Sequence, residues 1–482
     1  MLPLHFQSAT RLARDIRVGQ TTARALLELF LARIDSLNPS INAVIQQDRE
    51  GARARADTAD AALARGEIWG PLHGVPITVK ESFDVRGMPT TWGIPTLAGH
   101  RADVDAVAVQ RLSRAGAVLF GKTNVPVNLA DFQSYNDIYG VTQNPWRHGH
   151  TPGGSSGGAA AALAAGLTGM EMGSDIGGSI RNPAHFCGVF GHKPTYELLP
   201  ARGHTLNNAL AMADIAVIGP MARSAADLAL AMQVLALPDE IDATGVRYHL
   251  PLLTEATSEL RIAVWKDDVN CPVSTAVRAR MDAVTDALRG AGARIDEQAR
   301  PDFDATQANR LYNELLQSAL SGSIPDADFA EAIAATNGLA ADDDSDRARV
   351  LRAQTLRRRD WARLNEARTQ IRWAWHRFFA QHDFVLAPIM PVTAYPHDHA
   401  NFGQRHIVVD GVQRPYFEPL FWAGLVGVAY LPATMFPAGV AEDGLPVGLQ
   451  IIGPAYGDLR TIGLAQRLEA LGFGFTPPPA LA

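Results

Sequence analysis

Cysteine is scarce in this sequence of 482 residues, and its scarcity excludes two kinds of protein. The two cysteines, Cys187 and Cys271, cannot form a disulfide framework or a metal site built from cysteines alone. They favour a reducing compartment, and we expect a cytoplasmic protein. The net charge of −7 shows no excess of basic residues, which proteins that bind nucleic acids usually have, so we expect no nucleic-acid partner.

Long apolar runs are also missing. The weakly polar stretch over residues 157–170 is rich in Gly and Ala, and it is shorter than the ~20 residues that cross a bilayer. No positively charged segment precedes an apolar run at the N-terminus, so we expect no signal peptide and no membrane association. With 47% hydrophobic residues the chain can still bury a large core, which excludes a disordered protein.

Two periodicities alternate along the chain, one typical of helices and one typical of buried strands. Helical spacing covers residues 8–35, 48–64, 106–115, 157–165, 225–235, 274–291 and nearly all of 304–380. Short apolar runs that predict strands cover residues 75–79, 117–121, 261–265, 293–295, 384–388 and 447–452. Asn38-Pro39 predicts a turn, and Ser224 predicts the start of a helix.

This alternation predicts an α/β protein in which helices surround a mixed central sheet. Strands that return after the helical residues 304–380 favour one large domain with a helical cap over a row of separate domains. We therefore expect a single domain over residues 1–482. Its catalytic core would span residues 70–230, joined by C-terminal strands within residues 383–455.

Glycine and serine are concentrated in two clusters, over residues 153–158 and 173–181. Glycine permits positive φ and close backbone approach, so such a cluster can aim several N–H groups at one point. Donors arranged in this way stabilise the negative charge of a tetrahedral intermediate in acyl transfer. Ser179 directly follows Ile176-Gly177-Gly178 and is therefore a candidate nucleophile.

Other functions of these residues are less favoured. Neither cluster matches the phosphate-binding patterns G-x-x-x-x-G-K-[ST] and G-x-G-x-x-G. A serine nucleophile needs a base, but the nearby His185 and His192 have the apolar or glycine neighbours of structural histidines. No His, Cys or carboxylate set has metal-ligand spacing, and the acidic run at 342–346 lacks the Gly and Glu of a calcium loop. We expect no metal and no cofactor.

The two clusters, with Lys80 upstream, resemble the amidase signature family of serine hydrolases. The resemblance extends over nearly the whole chain, and the spacing of Lys80, Ser155 and Ser179 also fits the family. It rests on ordered motifs at residues 72–82 (LHGVPITVKES), 121–124, 144–146, 153–158, 173–181, 188–194, 219–224 and 444–450.

What the resemblance implies is a Ser–Ser–Lys triad in place of Ser-His-Asp. Ser179 would form the acyl-enzyme, and Ser155, after a cis non-proline peptide bond, would bridge it to Lys80. Lys80 must be neutral to accept a proton, and burial at a strand end would lower its pKa in that direction. The neighbouring Ser156 stays open as the bridging serine.

The resemblance also implies an oxyanion hole and residues that support it. The donors would be the backbone N–H groups of Ile176, Gly177, Gly178 and, as a fourth, Ser179. Asp175 and Arg181 would hold this loop in place. Many family members carry Asp after the lysine, whereas this chain has Glu81, which would change the spacing around Lys80.

Substrate binding is less well defined by the sequence. By resemblance, Leu129, Ala130 and Asp131 line the acyl side of the pocket. Asp131 and Gln133 would make this wall more polar than that of a lipid amidase. The aromatic residues between 361 and 378 are expected in the core, because they lie on one face of a helix.

The leading functional hypothesis is an amidase that hydrolyses the C–N bond of a small amide, anilide or carbamate-like substrate. One alternative is the glutaminase-type subunit of an RNA-dependent amidotransferase, which the lack of a basic bias disfavours. Another is a non-catalytic binding protein of the same fold, which the intact Lys80, Ser155 and Ser179 disfavour. The partner would be a small-molecule amide. The physiological substrate, the preference among amide, carbamate and ester, and assembly as a homodimer stay open.

Overall fold

Over residues 2–481, which the computed structural model describes, strands and helices alternate along the chain. The strands are β1 (Val44–Gln47), β2 (Pro76–Lys80), β3 (Val118–Thr123), β4 (Tyr135–Asn136), β5 (Gly140–Val141), β6 (Glu171–Asp175), β7 (Phe190–Lys193), β8 (Val217–Ala222), β9 (Arg261–Val264), β10 (Arg294–Asp296), β11 (Phe384–Ala387), β12 (His406–Val409), β13 (Val412–Pro415), β14 (Ala433–Val440) and β15 (Pro446–Ile452). The helices are α1 (Ala9–Arg17), α2 (Ala23–Ile41), α3 (Arg49–Ala64), α4 (Val107–Arg114), α5 (Gly157–Ala164), α6 (Arg181–Cys187), α7 (Ala225–Leu235), α8 (Thr275–Gly290), α9 (Ala305–Ser321), α10 (Asp326–Asn337), α11 (Asp346–Gln354), α12 (Arg358–Phe379), α13 (Leu420–Gly427) and α14 (Asp458–Ala470).

The central sheet has eight strands in the order β10-β9-β11-β15-β14-β7-β8-β6. Strand β9 pairs in parallel with β10 and β11, and the remaining neighbours pair antiparallel, so the sheet is mixed. Helices surround it, and α9–α12 form the helical cap. The expected α/β fold, with a mixed central sheet and a cap, is confirmed.

A smaller sheet, ordered β1-β3-β2, places its edge strand β2 beside β6, the edge strand of the large sheet. Side chains join the two edges: the Thr78 hydroxyl contacts the Glu171 carboxyl, and Lys80 Nζ lies 2.9 Å from Ser174 Oγ. This junction carries the C-terminal end of β2, and with it Lys80, to the middle of the fold.

Helix α5 packs inside the protein and fixes the loop that precedes it. Every residue of α5 is buried, which is why its sequence is almost entirely Ala and Gly. A side chain at Gly158 would lie 2.3 Å from the backbone nitrogen of Asn124, so glycine is needed for this close approach. The serines before α5 are therefore held against the core.

The predicted turn at Asn38-Pro39 is wrong, because α2 continues to Ile41. Pro39 costs the helix one hydrogen bond, because proline has no N–H to donate to the carbonyl four residues earlier, but the helix continues and buries Ile41 against the core. The helix ends at Asn42, whose φ of 54° is left-handed. Ser224 does begin α7, since its side chain accepts a hydrogen bond from the Asp227 N–H.

Within the described residues there is no helix both long and apolar enough to span a membrane.

Candidate active site

Lys80 and Ser155 form a buried pair at the junction of the two sheets. Lys80 Nζ lies 2.6 Å from Ser155 Oγ and 2.9 Å from Ser174 Oγ, so a second hydroxyl shares the amine. Lys80 is fully buried, and Ser155 and Ser174 are almost so. The sequence did not single out Ser174, although it lies inside the second Gly/Ser cluster.

Burial sets the protonation of Lys80. Loss of hydration lowers the pKa of this amine to about 7, although the negative charge of Asp175 opposes the shift. A buried lysine with this pKa is substantially neutral near pH 7, and a neutral amine accepts a proton. The predicted direction of the shift is confirmed.

The structure distinguishes Ser155 from Ser156. Ser155 Oγ lies beside Lys80, whereas Ser156 Oγ contacts the backbone of Ser174, at 3.3 Å from its nitrogen and 3.4 Å from its carbonyl oxygen. The Gly154–Ser155 peptide bond is cis, as the family resemblance implied. The Gly154 N–H donates to Asn182 Oδ1 at 2.9 Å and holds the loop.

Ser179 lies in the loop that joins β6 to α6, where it lines a large cavity. It is 8% exposed, and among residues 2–481 its hydroxyl has no hydrogen-bond partner. Its carbonyl oxygen accepts the N–H of Ser156 at 3.1 Å, which ties the two Gly/Ser clusters together. Ser155 and Ser174 line the same cavity, so the three hydroxyls share one space.

Asp175 and Arg181 hold the loop of Ser179 from behind. The Arg181 guanidinium meets both Asp175 oxygens, at 2.8 and 3.0 Å, and both side chains are fully buried. Asp175 also accepts the N–H groups of Gly178 and Ile180, at 3.0 and 3.1 Å. Although burial opposes ionisation, the Arg181 charge and these N–H groups lower the pKa of Asp175 to about 2.

The expected oxyanion donor at Gly178 is wrong in this structure, because Asp175 already occupies its N–H. The φ of Gly178 is +100°, a conformation that favours glycine and turns this amide toward the carboxylate. By contrast, the N–H groups of Ile176, Gly177 and Ser179 have no hydrogen-bond partner in the part of the chain described.

The cavity beside Ser179 has a volume of about 1160 Å³ and extends beneath helices α9 and α11 of the cap. Its wall is mostly apolar, with Leu129, Ile176, Met212, Ile218, Leu316 and Leu420 among the lining residues. Exposed lining residues on the cap, such as Arg310 and Asp346, are polar.

The expected polarity of the acyl wall needs correction. Leu129, Ala130 and Asp131 line the cavity, but Asp131 is paired with the buried Arg405, whose Nη1 lies 2.7 Å from Asp131 Oδ2. Gln133 is fully buried, donating to the carbonyl of Asp398 and accepting its N–H. Asp131 therefore offers the cavity no unpaired charge, and the amide of Gln133 is already bonded to Asp398.

Glu81 acts at a different place from the one expected. Its carboxylate accepts the N–H groups of Thr91 and Trp92, at 2.6 and 2.9 Å, instead of touching Lys80. Trp92 lines the cavity, so Glu81 fixes part of the cavity wall.

The nearby histidines are structural, as expected. His185 lies between the carbonyl oxygens of Gly448 and Val392, at 2.9 and 3.0 Å, and burial lowers its pKa to about 4. His192 contacts Asp458 and Thr434. Among residues 2–481, no set of three or more His, Cys, Asp or Glu side chains is arranged to hold a metal ion.

The fold and this site together define a serine-based amidohydrolase. Residues 25–462 match the Amidase family, and the chain belongs to this amidase signature family, whose enzymes hydrolyse amide C–N bonds.

Known relatives span most of the chain. It is 34% identical to a glutamyl-tRNA(Gln) amidotransferase subunit from Deinococcus radiodurans, over 97% of this chain and 98% of that protein. It is 32% identical to the indoleacetamide hydrolase of Bradyrhizobium diazoefficiens, over 97% of this chain and 87% of that protein. The structure of a 6-aminohexanoate cyclic dimer hydrolase complexed with substrate superposes with a TM-score of 0.80, at 27% identity, over 100% of each chain.

Proposed function

We propose that Ser179 is the nucleophile of an acyl-enzyme mechanism in which Ser155 relays protons to and from Lys80. The observation that carries this proposal is the 2.6 Å contact between Lys80 and Ser155, beside unpartnered amides in the loop of Ser179. Neutral Lys80 takes a proton from Ser155, and Ser155 takes one from Ser179. Ser179 Oγ then bonds to the carbonyl carbon of the amide.

The negative charge that develops on the carbonyl oxygen needs donors already in place. The N–H groups of Ile176, Gly177 and Ser179 are the proposed donors, because each lacks another partner among the described residues. When the C–N bond breaks, the proton on Lys80 returns through Ser155 to the leaving nitrogen. Water then attacks the acyl-enzyme by the same relay and releases the acid and free Ser179.

We propose that the substrate is an uncharged amide, anilide or carbamate with an apolar acyl part. The mostly apolar wall near Ser179 supports this choice. The carboxylate of Asp131 and that of Asp175 are each neutralised by an arginine of this chain, so neither attracts a charged substrate.

A second candidate is a glutaminase-type subunit, which the 34% identity to the Deinococcus radiodurans amidotransferase protein favours. Free glutamine carries an ammonium and a carboxylate, and both need partners when they leave water. Near Ser179 the wall is mostly apolar and the carboxylates of Asp131 and Asp175 are each paired with an arginine, which disfavours glutamine there; the charged lining residues, such as Arg310, lie on the exposed cap. A small-molecule amide without a nucleic-acid partner is therefore the first choice.

The residues also support an organisation for the whole chain. We propose that residues 1–482 act as one catalytic domain, with the core at 70–230, the strands at 383–455 and the cap at 304–380. Cys187 and Cys271 are both free and buried, which supports the proposed cytoplasmic location.

Hydrolysis assays across aliphatic amides, anilides, carbamates, esters and glutamine test the substrate proposal, with Ser179→Ala as the control. Hydrolysis of apolar amides or anilides in preference to glutamine supports it. Preference for glutamine, or a partner protein that must be added before glutamine is hydrolysed, would favour the glutaminase-type function instead.

A further inference from the structure

Tyr312, in the middle of cap helix α9, reaches the back of the loop that carries the proposed oxyanion donors. Its hydroxyl donates to the carbonyl oxygen of Ile176 at 2.8 Å. The residue is fully buried and does not line the cavity, whereas Ile176 and Gly177 do. The hydroxyl therefore contacts the loop on the side away from the substrate.

The geometry of a peptide unit connects this contact to the cavity. The carbonyl of Ile176 and the N–H of Gly177 belong to one planar trans peptide, so they point in opposite directions. With the carbonyl directed at Tyr312, the Gly177 N–H is directed away from it, toward the cavity side. That N–H has no hydrogen-bond partner among residues 2–481.

The Tyr312 ring is held rigidly by α13. A Cβ on Gly424 would lie 2.5 Å from Tyr312 Cδ1, and one on Gly427 would lie 3.0 Å from Tyr312 Cε2. The ring thus lies directly on the backbone of α13, where glycine leaves room for it. Leu420 of the same helix contacts Gly177, since a Cβ there would lie 2.9 Å from Leu420 Cδ2.

We infer that Tyr312 is a positioning residue, which orients the Ile176–Gly177 peptide so that the Gly177 N–H meets the oxyanion. The inference rests on the proposed function, because it needs a tetrahedral intermediate at Ser179. It also gives the cap a second role, because α9 then braces the catalytic loop as well as covering the cavity. Burial raises the pKa of Tyr312 above its usual value, so the hydroxyl keeps its proton across the working pH range.

The test is Tyr312→Phe, which keeps the ring and removes only the donor. We expect kcat to fall by roughly 10- to 100-fold, less than the loss of a whole oxyanion donor, because the peptide is misoriented and not removed. KM should stay within about threefold of wild type, since the contact is on the far side of the loop from the substrate. The pH midpoint should not move, because Lys80 is untouched.

A second measurement separates positioning from packing. A trifluoromethyl ketone, which forms a tetrahedral adduct with a serine, should bind Tyr312→Phe more weakly by a factor similar to the loss in kcat. A non-reactive substrate analogue should bind both enzymes equally. Titration with a fluorophosphonate counts the competent sites, so a partly unfolded preparation does not alter the rate per site.

Tyr248→Phe is the matched control, because the Tyr248 hydroxyl also donates to a backbone carbonyl, that of Glu197, at 3.4 Å and away from the cavity. It should leave kcat unchanged. A Tyr312→Phe enzyme with wild-type kcat per site, or with a change in KM alone, would overturn the positioning role. A wild-type protein that neither hydrolyses amides nor reacts at Ser179 would overturn the proposed function itself, and this inference with it.

Discussion

Lys80 Nζ lies 2.6 Å from Ser155 Oγ, and neither side chain is more than 1% exposed. The pair brings together residues from two parts of the chain: Lys80 ends a strand of the small sheet, and Ser155 precedes a buried helix. Because the amine has lost its hydration and, within residues 2–481, has no carboxylate in contact, it gives up its proton readily. The chemistry proposed here depends on this property.

The pH profile reports the protonation of Lys80. Because only the neutral amine accepts a proton, kcat/KM should be low in acid, rise through the lysine pKa of about 7 and level off above it. The measurement is kcat/KM for one uncharged amide between pH 5 and 10. A rise centred instead near pH 4, the pKa of the buried His185, would assign the base to that histidine.

Removal of the base should greatly lower kcat. Lys80→Ala should lower kcat by about 10⁴-fold or more, since nucleophile activation and leaving-group protonation fail together. Residues that act as a unit give non-additive losses, so the double variant with Ser155→Ala should be little worse than Lys80→Ala alone. Steady-state rates of the two single variants and the double variant decide this, and losses that multiply would mean two independent roles.

Ser155 and Ser156 form a natural matched pair. Ser155→Ala should lower kcat by about 10²- to 10³-fold, because the proton then crosses a gap that only water can fill. Ser156→Ala should cost less than about tenfold, since its hydroxyl contacts backbone atoms of Ser174 and not Lys80. Equal losses in both variants would reject Ser155 as the specific bridge.

Asp175 should stabilise the folded protein as well as the loop. Asp175→Asn leaves the buried Arg181 charge unpaired, and the free energy of unfolding should fall by about 3–5 kcal/mol. Asp286→Asn, which breaks an exposed pair with Arg289, should cost about 1 kcal/mol or less. Urea denaturation of both variants at pH 7 is the measurement, and similar losses would contradict the role given to the buried pair.

The sign of the pH effect on this pair follows from its lowered pKa. Asp175 has a folded pKa of about 2, below the usual ~3.9, so its stabilising contribution is complete above pH ~4. That contribution should be lost as the pH falls through 2. The free energies of unfolding of wild type and Asp175→Asn, measured between pH 2 and 6, should therefore become more similar as the pH falls. A difference in free energy of unfolding that stays constant over this pH range would show that the carboxylate charge does not contribute to stability.

Arg405 should control which acyl groups bind. Arg405→Met exposes the cavity to an unpaired Asp131 carboxylate, so KM for an apolar amide should rise about tenfold, with a smaller change in kcat. Substrates with a cationic acyl part should bind better than before. Arg414→Met, which removes an arginine paired with Glu418, is the control. An unchanged preference in Arg405→Met would mean that Asp131 does not influence the wall.

The sequence predicted the elements whose pattern is regular. Helix α7 begins at Ser224 because a serine N-cap and helical spacing agree there, and β2 lies at the predicted apolar run before Lys80. Strand β6 was not predicted, since its sequence EMGSD has neither alternation nor a β-branched run. Its pairing with β8 and its burial come from distant parts of the chain.

The residues of the site likewise fall into those that the sequence motifs predicted and those that only the structure shows. The motifs located Lys80, Ser155 and Ser179, and only the spacing to Ser179 favoured Ser155 over Ser156. The backbone geometry of the loop then places Ser155 beside the lysine. The contact of Tyr312 with Ile176 joins residues 136 positions apart, and that of Arg405 with Asp131 joins residues 274 apart. A single sequence gives no signal for such pairs, because the local pattern around each residue does not indicate a distant partner.

The most direct measurement is the location of the covalent intermediate. Wild-type protein is treated with a fluorophosphonate, its mass is measured intact, and the modified peptide is sequenced by mass spectrometry, with Ser179→Ala treated in parallel. We expect one adduct per chain, on Ser179, and no adduct on Ser179→Ala. An adduct on Ser155 or Ser156, or undiminished modification of Ser179→Ala, would contradict the assignment of Ser179 as the nucleophile.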